Sequence, residues 1–234
     1  MSSTKPKVLM VLTSNEHGWY LPELVYPYEI LAPYTEITVA SHLGGESPLD
    51  QSSVAAFKDD EMCARFVREK EGIWKNTPKL EDLVPRAKEF DVLFYVGGYG
   101  PTFDVIDSEA TIAFVDEFYR SKKIICGICH GAAVFAHRTI PGTTKSILEG
   151  HRVTGISDRE VGILASSIEE PFSVEGELVK AGAKFEKAVE PFGGHVVVSS
   201  DSEGRVFVTG QNPASGIGIG KAIYQELFKK PYQG

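Results

Sequence analysis

The sequence predicts a single-domain α/β protein whose mostly parallel sheet is covered by helices on both faces. Short apolar runs alternate with amphipathic segments along all 234 residues, which is the pattern of successive βαβ units. One apolar run ends in Gly127-Ile128-Cys129-His130-Gly131. This is the spacing of a nucleophile elbow, in which a strand turns sharply into a helix at a reactive side chain. No linker or repeat interrupts the chain, so we expect residues 1–234 to form one domain.

The N-terminal half predicts three strands and the helices between them. The apolar runs at residues 8–13, 36–40 and 91–96 are typical of strands. Helices are predicted from Leu21 onward, over 59–71 and over 80–90. Pro27 lies inside the first of these helices and predicts a kink or a break there.

The C-terminal half predicts the elbow strand, a hairpin and several helices. Helices are expected over 108–120, from Ala132 onward, over 173–182 and over 214–229, and a short strand over 152–156. Residues 195–199 and 205–209 flank a turn and predict a β-hairpin. The glycines at the start of the last helix lack the Gly-Lys-Ser/Thr ending of a phosphate loop. We therefore interpret them as allowing close helix packing.

Composition and charge exclude several classes of function. The net charge is −8 without a basic cluster, which argues against nucleic acid or an anionic membrane as a partner. No apolar run approaches the roughly 18 residues of a membrane span. Three cysteines form no spaced framework, so we expect a reducing, cytoplasmic compartment. The histidines have no ligand spacing, and we expect neither a metal nor a cofactor.

The carboxyl ends of the parallel strands are the expected location of the chemistry. Three segments should meet there: the elbow at Cys129, the loop at Gly97-Gly98 and the helix start that carries Glu23. The helix that begins at the elbow predicts a lowered pKa for the Cys129 thiol. Backbone N–H groups near Gly98 and His130 could bind an oxyanion. Glu23 could move a proton if burial raises its pKa.

Each of these residues also has a purely structural interpretation. Cys129 could be a small residue in a tight turn, and Glu23 could be an ordinary first-turn acid that favours the helix dipole. Neighbouring side chains generally point in different directions, so His130 could be structural. The residues alone leave these alternatives open.

Five blocks of the chain resemble the ThiJ/PfpI superfamily, which is related to class I glutamine amidotransferases. Cys129-His130-Gly131-Ala132-Ala133 resembles its Cys-His-Gly-Pro-Ala motif, and residues 95–104 resemble its Gly-Gly-His-Gly-Pro-x-x-Asp loop. The helix at Glu23 and the blocks at 153–158 and 208–215 match as well. The resemblance implies a flavodoxin-like three-layer sandwich. It is closest to the branch of heat-shock chaperones with glutathione-independent glyoxalase III activity.

The resemblance implies a lyase of the hydro-lyase, D-lactate dehydratase type that converts methylglyoxal to lactate without a cofactor. Cys129 would form a hemithioacetal with the small aldehyde substrate, and Glu23 or His130 would relay the proton from C1 to C2. Gly98, Tyr99 and Glu160 would line the substrate site. The branch also implies a homodimer, unfolded client proteins as partners, and the nucleus as a second compartment beside the cytoplasm.

The chain departs from the family pattern at the site. Tyr99 replaces the loop histidine, and Ala132 replaces a proline. The acid that pairs with the histidine aligns on Val161, and Glu160 stands one residue earlier. An imidazole without a carboxylate is a poorer base, which predicts weak glyoxalase activity or another substrate. The alternatives are a stress-response chaperone and a cysteine-based redox sensor (without strong catalysis in either case).

Overall fold

The computed structural model describes residues 5–233, whose centre is a six-stranded, mostly parallel sheet. Its strands are β1 (Lys7–Leu12), β2 (Glu36–Ser41), β3 (Val92–Tyr95), β4 (Ile124–Ile128), β7 (Val196–Ser200) and β8 (Val206–Gly210). Their order is β2-β1-β3-β4-β8-β7, with only β7 antiparallel to its neighbour. A separate pair, β5 (Arg152–Val153) and β6 (Lys184–Phe185), is parallel. This order has the flavodoxin-like reversal beside β1 and confirms the predicted fold class.

Helices cover both faces of the sheet and complete the three layers. They are α1 (Leu21–Leu31), α2 (Gln51–Ala56), α3 (Glu61–Glu69), α4 (Gly72–Lys75), α5 (Leu80–Leu83), α6 (Glu109–Arg120), α7 (Asp158–Leu164), α8 (Val174–Lys180) and α9 (Gly216–Phe228). The chain leaves β1 toward one edge through α1 and leaves β3 toward the other edge through α6. Since such crossovers are right-handed, α1 and α6 lie on opposite faces. Every residue of β3 and β4 is therefore buried, which explains their unbroken apolar sequences.

The packing of α9 on α1 explains the glycines at the start of α9. A Cβ added at Gly220 would stand 3.0 Å from the Pro27 Cα atom and 3.0 Å from the Ile30 Cβ atom. Glycine therefore lets the two helix backbones approach closely, as the sequence predicted. The predicted break at Pro27 is wrong, because α1 continues through this buried residue to Leu31.

Two predicted helices have a different form in the structure. The segment over 80–90 divides into α5 and a 3-10 helix at Val84–Glu89, with Pro85 near the division. The segment after the elbow is also a 3-10 helix, Cys129–Phe135, rather than an α-helix.

The predicted strand over 152–156 is only two residues long in the structure. Within residues 5–233, no helix is both long and apolar enough to cross a membrane.

Substituting Gly220→Val is predicted to lower the free energy of unfolding by about 1–3 kcal/mol, because the added side chain overpacks the α1–α9 contact. Gly162→Val in α7 is the matched control, since a Cβ at Gly162 meets nothing within 4 Å. Urea unfolding of both variants measures the difference. Equal losses would contradict the packing role of Gly220.

Candidate active site

The elbow places Cys129 directly after β4 in a strained backbone conformation. Its φ is 56°, in the left-handed region that non-glycine residues adopt at a cost of order 1–3 kcal/mol. Gly131 permits the turn, because a Cβ there would come within 2.5 Å of the Tyr95 carbonyl oxygen. Such strain persists only where the surrounding structure holds it, and it concentrates at functional sites.

Glu23 reaches the same point from the first turn of α1. Its side chain is fully buried, and neither carboxyl oxygen has a hydrogen-bond partner among the described residues. Burial raises the pKa of Glu23 to about 8, although its contact with the Cys129 side chain opposes the rise. The carboxyl is therefore protonated at neutral pH and able to donate a hydrogen bond.

The Cys129 thiol is buried beside this carboxyl, with 5% of the residue exposed. Burial raises its pKa, and the nearby Glu23 raises it further. The backbone N–H groups of His130 and Gly98 act in the opposite direction. The predicted lowering of the thiol pKa is therefore wrong, because the sulfur is desolvated and lies beside Glu23.

Gly98 can face Cys129 only because it has no side chain. Its φ is +103°, and a Cβ there would lie 2.6 Å from the Gly18 carbonyl oxygen. The loops after β1 and β3 are joined at this point, since the Tyr20 N–H donates to the Gly97 carbonyl at 3.1 Å. The loop therefore presents the Gly98 N–H group to the sulfur, opposite the elbow's own N–H group at His130.

His130 lies against the nucleophile rather than away from it. Its Nδ1 atom is 3.3 Å from the Cys129 Sγ atom, because the left-handed turn at Cys129 rotates the next side chain toward the sulfur. The ring is 2% exposed and packs on Tyr99, with centroids 4.8 Å apart. His130 is thus positioned to take the thiol proton.

The acid beside His130 is Glu170. Its Oε2 atom lies 3.3 Å from the His130 Nε2 atom, and its side chain is 11% exposed. The distance is that of an ion pair, but the ring N–H is not aligned for a hydrogen bond. Sequence reasoning missed Glu170, because it follows a segment without clear periodicity and has no diagnostic spacing from Cys129.

Glu160, which the sequence placed near the substrate, does not line the cavity or contact His130. It is fully buried, and its Oε2 atom accepts hydrogen bonds from Ser157 and Gln211. Its Oε1 atom accepts from Asn212 at 2.8 Å and from the Phe192 N–H at 2.9 Å. The capping box at the start of α7 holds it in this direction. Its role is to join the loops around the site.

These groups open into a cavity of about 270 Å³. Its lining residues are Tyr20, Glu23, Asp50, Ser52, Gly98, Tyr99, Cys129, His130, Ile156, Leu164, Ser166, Phe192 and Pro213. The sequence analysis identified five of them, namely Glu23, Gly98, Tyr99, Cys129 and His130, and did not single out the others. In the chain from 5 to 233, no group of three metal-ligating side chains could hold an ion.

Two tyrosines form polar parts of the cavity wall. Burial raises the pKa of Tyr20 to about 12, and the neighbouring acids Glu23 and Asp50 add to the rise. Burial also raises the pKa of Tyr99, whose hydroxyl oxygen has no hydrogen-bond partner within the described chain. Both phenols are therefore neutral at physiological pH and can donate to a bound carbonyl oxygen.

Glu23→Gln is predicted to remove a pH dependence of stability. The folded protein holds the Glu23 proton up to a pKa of about 8, against an ordinary value of 4.5. The free energy of unfolding therefore decreases as the pH rises from 4.5 through 8, by at most about 1.4 kcal/mol per pH unit. Urea unfolding of both proteins across this window measures the effect. Parallel pH profiles would contradict the raised pKa.

Comparison with known proteins identifies the family. The profile of the DJ-1/PfpI family matches residues 6–225. Glyoxalase 3 of Candida albicans is 27% identical over 231 residues, which cover 90% of this chain and 94% of that protein. Glutathione-independent glyoxalase HSP31 of Saccharomyces cerevisiae is 27% identical over 226 residues, covering 89% and 92%.

A solved structure supports the same relationship. The X-ray structure of Rapid Encystment Protein 24 KDa from Francisella tularensis superposes with a TM-score of 0.85 at 33% identity. The match covers 95% of this chain and 99% of that one. Together with the profile match over most of the chain, it confirms the resemblance seen in the motifs around Cys129: this protein is a member of the DJ-1/PfpI family.

Proposed function

We propose that the protein is a glutathione-independent glyoxalase, which converts methylglyoxal and other small 2-oxoaldehydes to 2-hydroxy acids such as lactate. The observation that carries this proposal is the meeting of three groups in one cavity. The Cys129 sulfur, the His130 Nδ1 atom and the unpartnered Glu23 carboxyl all face the same space. Relatives named as glyoxalases, at 27% identity over most of the chain, support the same activity.

The first step is attack of the Cys129 sulfur on the aldehyde carbon. The thiol is neutral in the free protein, since burial raises its pKa. His130 takes the thiol proton as the carbon–sulfur bond forms, because its Nδ1 atom is 3.3 Å from the sulfur. The N–H groups of Gly98 and His130 stabilise the developing oxyanion. His130 then returns this proton to the oxygen, which gives a hemithioacetal and leaves the imidazole neutral.

The second step moves the C1 proton to C2 through an enediol. Glu23 is protonated at neutral pH, so it serves as a hydrogen-bond donor to the substrate oxygen. His130 is then the base that removes the C1 proton and returns it to C2. The product of this internal redox step is a lactoyl thioester on Cys129. Water hydrolyses the thioester, releases lactate and restores the thiol.

Glu170 replaces the family acid that the sequence lacks at position 161. Its carboxylate lies near the His130 Nε2 atom and stabilises the imidazolium that forms during attack. The expectation of weak activity rested on a missing acid, and Glu170 removes that reason. We therefore propose a Cys129–His130–Glu170 triad assisted by the Glu23 carboxyl.

The alternative functions receive less support. Oxidation of a cysteine follows its thiolate character and exposure, and the buried, neutral Cys129 argues against a redox sensor. Binding of unfolded clients, the homodimer and the cytoplasmic or nuclear location remain predictions.

Cys129→Ala is predicted to abolish the formation of lactate from methylglyoxal, because no other thiol within residues 5–233 lines the cavity. Cys126→Ala is the matched control, since Cys126 is buried within β4 and is not among the cavity-lining residues. Chromatographic detection of lactate without added glutathione measures both. Equal turnover by the wild type and Cys129→Ala would contradict the proposed function.

Glu170→Gln is predicted to lower kcat for methylglyoxal by roughly 10²-fold, because the amide does not stabilise the imidazolium of His130. Glu169→Gln, at the exposed neighbouring position, should leave kcat within about twofold of the wild type. Steady-state kinetics of the two variants test the triad. Matching rates would show that His130 acts without this acid.

A further inference from the structure

The cavity is larger than methylglyoxal requires. Its volume is about 270 Å³, whereas a dry cavity of about 150 Å³ is sufficient for a benzene ring. Methylglyoxal carries only a methyl group beyond its two carbonyl groups and fills only part of this space. Room for a larger substituent therefore remains beyond the Cys129 sulfur.

Four apolar residues line the cavity, and we call them its apolar wall. They are Ile156, Leu164, Phe192 and Pro213. Leu164 is 49% exposed and Phe192 is 40% exposed, although both are large apolar residues. Exposed apolar surface next to convergent polar groups is typical of a ligand site. This wall would bury an apolar substituent while the dicarbonyl end meets Cys129.

The backbone of Phe192 is strained, and a buried carboxylate holds it. Its φ is 61°, a genuine outlier for a bulky residue. The Phe192 N–H donates to the Glu160 Oε1 atom at 2.9 Å, and Glu160 is itself fixed by Gln211 and Asn212. A network that keeps an aromatic ring in an unfavourable conformation at a cavity mouth points to a function for that ring.

The charges around the cavity select against anions. Among the residues from 5 to 233, neither lysine nor arginine lines it, while Asp50 does. A substituent with a carboxylate or phosphate would meet the Asp50 carboxyl without a counter-charge. An uncharged substituent avoids this repulsion and gains contact with the apolar wall.

We propose that the preferred substrates are uncharged 2-oxoaldehydes with an apolar substituent of about phenyl size. Phe192 and Leu164 determine this specificity, and Glu160 is a positioning residue for Phe192. The inference rests on the proposed function and extends it to a substrate class. With phenylglyoxal as the probe, the C1 hydrogen moves to C2 and water cleaves the thioester. The product is mandelate, so phenylglyoxal plus water balances without an external oxidant or reductant.

The first experiment compares KM and kcat for phenylglyoxal and methylglyoxal. We expect the wild-type KM for phenylglyoxal to be about tenfold lower, because an apolar contact stabilises the bound substrate and the transition state alike. Phe192→Ala and Leu164→Ala should each raise that KM about fivefold to tenfold and change kcat little. Val189→Ala and Ile163→Ala are the matched controls, because both residues are exposed and neither lines the cavity.

The second experiment separates the strain at Phe192 from its role in binding. Phe192→Gly and Phe192→Ala both remove the ring, but glycine accepts a φ of 61° without strain. We expect the glycine variant to unfold at a higher urea concentration than the alanine variant, and both to lose the preference for phenylglyoxal. Glu160→Gln should raise the KM for phenylglyoxal by a larger factor than the KM for methylglyoxal.

The outcomes distinguish the two proposals. Wild-type lactate formation with equal KM values for both substrates would overturn the substrate class and leave the glyoxalase proposal intact. The same holds if Phe192→Ala changes the KM ratio no more than Val189→Ala does. A wild type that forms neither lactate nor mandelate would overturn the proposed function and this inference with it.

Discussion

The burial of Glu23 against Cys129 is the constraint on which the rest of the site depends. A carboxyl group without hydrogen-bond partners in a dry environment stays neutral, which its raised pKa of about 8 expresses. The same desolvation keeps the thiol protonated. Neither group can then be the initial base, so a proton acceptor for the thiol is required, and His130 is the side chain placed to accept it. The different roles of the thiol, the carboxyl and the imidazole therefore follow from the exclusion of water from the site.

The left-handed turn at Cys129 places the imidazole where it can act as the base for the thiol. Sequence neighbours rarely act together on one substrate, because their side chains diverge. Here the φ of 56° brings the His130 Nδ1 atom to 3.3 Å from the sulfur. Gly131 allows the turn, because a side chain there would clash with the Tyr95 backbone. The close approach of the loop at Gly98 supplies the second N–H group near the sulfur. Backbone strain thus supports a thiol–imidazole pair built from adjacent residues.

Two glutamates, Glu160 within α7 and Glu170 in the loop after it, illustrate how burial decides a role. Glu160 accepts hydrogen bonds on both carboxyl oxygens and connects α7 to the loops at Phe192 and Asn212. Glu170 keeps an oxygen near the His130 Nε2 atom. The carboxylate nearest the His130 Nε2 atom therefore lies in another segment, while Glu160, near the aligned position, holds the backbone of Phe192 at the cavity.

The sequence by itself determined the sheet, the elbow and the positions of Cys129, Glu23 and Gly98. These features depend on local apolar runs and on glycines at points where two backbone segments approach too closely for a side chain. The tertiary structure decided the partner of His130, the role of Glu160 and the protonation of the thiol. Each of these depends on loops without periodicity or on desolvation. Burial is a property of the whole fold, and the distance between His130 and Glu170 follows from packing across 40 residues of chain.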